Sequence, residues 1–142
     1  MAVVNLSIQL PARRSYLLTL LEALVAVNRL ELREIGPRAP ALYKAGVKYT
    51  REKRDPSTGM PREEWLTIRQ IFERKHADCE DLAAARVAEL RNRGVNARIW
   101  LVRHGRMWHV QVRLPDGTIE DPSRILGMRD PRLPPSDAGA NA

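Results

Sequence analysis

A chain of 142 residues makes one domain with room for a single core and none for a second unit. Its 24 Lys+Arg against 17 Asp+Glu give a formal net charge of +7, a balance that favours acidic partners such as nucleic acid, an acidic protein surface or a charged polymer. The basic residues run along the whole chain, whereas a dedicated nucleic-acid arm would gather them in one block. One cysteine excludes an internal disulfide framework.

From the N-terminus, Met1 to Leu10 lacks the charged and apolar succession of a secretory leader. The most apolar stretch, Tyr16 to Val27, is too short for a bilayer and contains Glu22, so no membrane span is expected. Leu17, Leu18, Leu20, Leu21, Leu24, Val25 and Leu30 form an apolar stripe at helical spacing, and Pro37 and Pro40 stop it. A short helix is expected over Ala41 to Ala45, then a loop at Asp55-Pro56-Ser57-Thr58-Gly59. After Pro61 a further helix should hold Glu63 and Glu64 in its first turn and bury Trp65, Ile68, Ile71 and Phe72. A break at His76-Ala77-Asp78 leads into a helix from Cys79 to Arg93, with Leu82, Ala83, Val87 and Leu90 inward and Glu89 and Arg93 paired at i,i+4. Gly94 is suited to terminate it.

The period then changes to that of strands. Ala97 to Val102 and Met107 to Leu114 read as two strands joined at His104-Gly105, and Thr118 to Asp121 as a short third after the Pro115-Asp116-Gly117 turn. The fold class expected is α+β, helices followed by an antiparallel meander. The domain should cover residues 1–128, with a helical part over 1–46, and residues 129–142 should form a Pro-, Gly- and Ala-rich tail.

Three residues could carry chemistry. Cys79 opens a helix, where unpaired N–H groups and the macrodipole favour a thiolate, but Asp78, Glu80 and Asp81 beside it oppose that charge. Strand alternation puts Trp108, Val110, Val112 and Leu114 on one face and His109, Gln111 and Arg113 on the other. The apolar row is complete without His109, which should look out from the sheet toward a cleft. Asp121, at a strand end before Pro122, can orient an imidazole, and Glu120 competes for that role. His76 and His104 are weaker candidates. A nucleophile, a base and an orienting carboxylate on three separate element ends is a triad arrangement. The chain has no paired zinc-ligand spacing and no Gly-rich phosphate loop, so no metal and no cofactor are expected.

The segments Ala77-Asp78-Cys79-Glu80-Asp81-Leu82-Ala83, Leu90 to Arg98, Trp108-His109-Val110-Gln111-Val112 and Ile119-Glu120-Asp121-Pro122-Ser123 follow one another in an order that resembles the transglutaminase-like superfamily of papain-type cysteine enzymes. The resemblance spans roughly residues 62–126 and is greatest to the small versions encoded by tailed bacteriophages, with Tyr49 and Trp65 ahead of the Cys motif. It implies a papain-like core, with Cys79 as nucleophile, His109 as general base and acid, and Asp121 as the orienting group. An oxyanion hole would use the Cys79 backbone N–H and a second donor, for which Trp65 and Tyr49 are candidates. Two positions depart from the family pattern: Ala77 stands where Gly is usual, and Gln111 where an aromatic is usual.

The function this implies is acyl transfer from a peptide or glutamine amide to water or to an amine, with a peptide or protein as substrate. The rival implied by the same resemblance is a virion structural or assembly protein (head, connector or tail) with a vestigial site, contacting other phage proteins through the N-terminal helix. A location in the host cytoplasm or in the virion would follow. A nucleic-acid-binding module rests on net charge alone.

Overall fold

In the computed structural model, residues 2–51, 57 and 64–129 are described. The expected loop at Asp55 to Gly59 lies, apart from Ser57, outside them, as do Glu63 and the tail beyond Arg129. In chain order the elements are α1 (Arg14–Ile35), β1 (Lys48–Tyr49), α2 (Ile68–Arg74), β2 (His76–Ala77), α3 (Cys79–Asn92), β3 (Arg98–His104), β4 (Met107–Arg113), β5 (Ile119–Glu120) and α4 (Pro122–Ile125). Single 3-10 turns cover Gly36–Arg38 and Leu42–Lys44, the second where a short helix was expected. The architecture is α+β: helices, an antiparallel β3-β4-β5 meander, and a small parallel β1-β2 pair.

The central piece is α3. Its row of alanines lets two cores approach it from opposite sides. On one side Ala83, Ala84, Val87 and Ala88 meet Leu21, Leu24 and Val25 of α1 and Ile99, Leu101, Val110 and Val112 of the meander. On the other, Leu82 and Ala85 meet Leu42, Val47, Leu66, Ile68 and Ile71. Packing at both faces buries more of α3 than an amphipathic stripe would, including Glu89. That burial recruits partners: Glu89 accepts from the Leu42 N–H at 2.9 Å and from Arg86 at 2.6 Å. The expected Glu89–Arg93 pair is present but longer, at 3.9 Å. Gly94, at φ 84, follows the helix in the left-handed region.

The helix expected after Pro61 starts later. Thr67 caps it, with Gln70 reaching back to the Thr67 N–H at 2.9 Å. A capping box of this kind fixes the helix start and leaves Trp65 and Leu66 outside it. The Leu66 N–H turns instead to Asp81 Oδ1 at 2.8 Å, and the Asp78 N–H to Asp81 Oδ2 at 3.2 Å. Asp81 therefore ties the segment before α2 to the start of α3.

Burial pushes the Asp81 pKa up to about 7, against the pull of these two N–H donors. A carboxyl raised in the folded state contributes stability that is present below its unfolded pKa and lost as pH rises through the folded one. Replacing Asp81 with Ala strands two N–H groups and is expected to cost about 2–4 kcal/mol. Thermal melts from about pH 4 to about pH 7 should show a lower Tm for the variant at every pH. The wild type should lose part of its advantage toward neutrality. An unchanged Tm would show that the tie carries no stability.

Candidate functional site

Asp78 is the N-cap of α3, and its Oδ1 accepts from the Cys79 N–H at 2.7 Å. The cap fixes the helix start and brings Cys79 to its first position, with the sulfur against β4. Register explains the contact. Val112 pairs with Glu120, and the Leu114 N–H bonds Thr118 O at 2.9 Å. Val112 and Leu114 therefore turn their main chain toward β5, and so does Val110 two residues earlier. Because β5 ends at Glu120, the Val110 N–H is left for the Cys79 sulfur.

His109 and Asp121 come together on the other row of β4. His109 Nε2 lies 2.7 Å from Asp121 Oδ2, with the residues 3% and 0% exposed. Asp121 also accepts from Gln111 Nε2 at 3.1 Å and from the Arg124 N–H at 3.2 Å, and the Arg124 side chain stands 3.4 Å away. The expectation that His109 looks outward needs correction. Both His109 and Gln111 turn to Asp121 and are buried. Burial pushes the Asp121 pKa up, but the His109 bond and charge, with Gln111 and Arg124, outweigh it and hold the group below the usual carboxylate range. The ionised carboxylate is therefore the acceptor, and Nε2 carries the proton of this bond.

The thiol is the part that stands apart. Cys79 Sγ hydrogen-bonds Glu80 Oε2 at 3.1 Å, and no hydrogen bond joins it to His109. Burial, then the charges of Glu80 and Asp78, push the thiol well above its ordinary pKa, and the Val110 N–H is the opposing influence. Of the two tendencies readable in the sequence, desolvation with neighbouring carboxylates wins over the helix terminus. Asp78, Cys79 and Glu80 also offer ligand-type atoms within 4.8 Å of one another. Three consecutive residues at one helix start, joined by hydrogen bonds among themselves, explain that clustering without a metal.

Tyr49 reaches this site. Its phenol is pushed up by burial and then by the charges of Asp78 and Cys79, so it stays protonated and can donate. Trp65 and Cys79 pack against the same core cluster. Glu120, the competitor of Asp121, is engaged elsewhere, with Tyr43 and, at 2.6 Å, Arg86. His76 and His104 lie apart, on β2 and at the end of β3. The sequence reading placed Glu80 with Asp78 and Asp81 as carboxylates opposing the thiolate, without singling it out as the bonded one, and it missed Gln111 and Arg124 as supports of Asp121. Gln111 was readable as a support, since it shares the His109 row.

No family model, curated protein or solved structure matches the chain. Among the described residues, no helix is long and apolar enough to cross a membrane.

Proposed function

We propose that this protein is a transglutaminase-like cysteine enzyme that transfers an acyl group through Cys79, His109 and Asp121, on a papain-type core. The observation that carries the reading is the buried His109–Asp121 bond at 2.7 Å, set on the strand whose next residue, Val110, meets the Cys79 sulfur. A buried imidazole held through one nitrogen by an ionised carboxylate is suited to serve as a general base through the other.

In the reaction the Cys79 thiol gives its proton to His109 Nδ1, and the sulfur adds to the amide carbonyl. The tetrahedral adduct collapses as the imidazolium returns that proton to the leaving amine or ammonia. Water or a second amine then cleaves the thioester, with His109 taking and returning its proton in turn. Asp121 stabilises the imidazolium throughout. Both groups needed at the start are otherwise engaged: the thiol by Glu80 and the Cys79 N–H by Asp78. Substrate entry must displace these two carboxylates, and the resulting oxyanion would take the Cys79 N–H, with Tyr49 as a second donor.

The same two contacts favour a second reading, an assembly protein of a virion that keeps the fold with its site closed. Turnover separates the two. The chain is incubated with a glutamine-containing peptide, with and without a labelled primary amine, and assayed for ammonia, cleaved peptide and amine incorporation. Product that disappears in Cys79→Ala supports acyl transfer, and its nature distinguishes hydrolysis from transamidation. If all product persists in Cys79→Ala, or none forms in the wild type, the enzymatic reading fails.

A further inference from the structure

The segment ahead of α1 has no role in the site or in either core. Val4, Leu6, Ile8 and Leu10 alternate with Asn5, Ser7 and Gln9, the period of a half-buried strand. Yet Ala2 to Arg13 joins no strand and is exposed throughout, with Val4 at 82% and Leu6 at 83%. A run of large apolar residues left in water at strand period calls for a sheet to join.

The sheet also has an edge that lacks a strand among the described residues. There β3 pairs only with β4. Arg98, Trp100, Val102 and His104 face β4 in register with Arg113, Gln111, His109 and Met107. In the register that sends Val110 and Val112 toward β5, the main-chain groups of Ile99, Leu101 and Arg103 point outward, away from β4. The Leu101 carbonyl confirms this direction, because it accepts from Arg14 Nη1 at 2.7 Å across that edge. A guanidinium N–H thus already occupies one place where a strand N–H would bond.

We propose that residues 4–10 add as a strand to the β3 edge of a second copy of this chain, with the two arms exchanged reciprocally. Three observations select a second copy as the occupant. The arm and the edge match in length, seven residues from Val4 to Leu10 against the seven of β3. The arm springs from Arg14, which is bonded at the acceptor edge, so one two-fold axis can bring each arm to the other edge. Finally, Ala2 to Ala12 carries no charge in a chain of net charge +7. Two such chains repel broadly, and a neutral strand is the segment that can meet an edge bearing Arg98 and Arg103. The arm is not laid on its own β3: the Arg13 N–H turns back to Pro11 O at 2.8 Å, and the residues before it stay exposed. Main-chain bonds would supply the affinity and the Val4, Leu6, Ile8 and Leu10 row the fit.

The experiment is light scattering coupled to size exclusion on the full chain over a concentration series. The wild type is expected to approach twice its 16.2 kDa mass. The double variant Leu6→Lys, Ile8→Lys places charge at exposed positions, so it should keep its circular dichroism and weaken self-association by about a hundredfold or more. Arg103→Pro removes one outward N–H while sparing the bonds to β4, and should do the same. Mixing the two variants should restore part of the association, since one intact arm then meets one intact edge. A wild type of single-chain mass throughout would overturn the proposal. So would an oligomer indifferent to the arm variant.

Discussion

Replacing Glu80 with Gln is expected to raise the rate at which iodoacetamide alkylates Cys79 at neutral pH by about tenfold or more, one unit of thiol pKa being a tenfold change in thiolate. In the wild type the reaction should be slow, because burial and the carboxylates of Glu80 and Asp78 hold the proton on sulfur. The substitution keeps the shape of the side chain and removes the charge that faces Sγ at 3.1 Å. The informative result is the double variant. If His109 can take the proton once Glu80 no longer holds the thiol, Glu80→Gln with His109→Ala should react more slowly than Glu80→Gln alone. His109→Ala alone should change little. If the double variant reacts as fast as Glu80→Gln, the imidazole does not serve this sulfur, and the Cys-His-Asp reading is lost while the His109–Asp121 pair remains as a structural bond. The experiment needs no substrate, so it reads the site independently of the turnover assay.

The contrast between Glu80 and His109 shows which features were legible in the sequence. Order along the chain pointed to His109 and Asp121, because a strand carrying a polar row and a short strand ending in Asp-Pro must lie side by side in a meander. The start of α3 was legible in Asp78, a capping residue, and its end in Gly94. Which of the three neighbouring carboxylates bonds the thiol was not, since adjacent helical residues do not face one another by spacing alone. Glu80 meets Cys79 because the first turn is wedged between two cores, and that confinement is a property of packing. The β1-β2 pair was illegible for another reason: two residues are too few to show a period. At α2 the signal existed and was overridden. Thr67-x-x-Gln70 marked the boundary, but Trp65 fits the apolar stripe and drew the expected helix upstream. The burial of His109 was missed because its partner Asp121 lies at the end of a two-residue strand, too short to show by period which surface it meets.

Asp121 is where fold and chemistry coincide, so its two substitutions should separate them. Asp121→Ala removes an acceptor from His109 Nε2, Gln111 Nε2 and the Arg124 N–H at once. Leaving such groups buried without their carboxylate is expected to cost about 3–5 kcal/mol, a large share of a small domain's stability. Asp121→Asn keeps the volume and one oxygen, and can still accept from one or two of these donors, so it should cost less. Its amide nitrogen, however, can donate to the imidazole and so select the tautomer with the proton on Nδ1. Acyl transfer should then drop by about three to four orders of magnitude in a protein that remains folded. The pH dependence supplies a third readout. Asp121 has a depressed folded pKa, so its contribution is present above the unfolded carboxylate value and is lost as pH falls through the folded one. Acid titration of stability, followed by circular dichroism, should therefore be steeper for the wild type than for Asp121→Asn below about pH 4. A variant that matched the wild type in acid stability and in turnover would remove Asp121 from both roles. One that matched it in stability but lost turnover would make the carboxylate a director of the His109 tautomer with little part in holding α4 to the sheet.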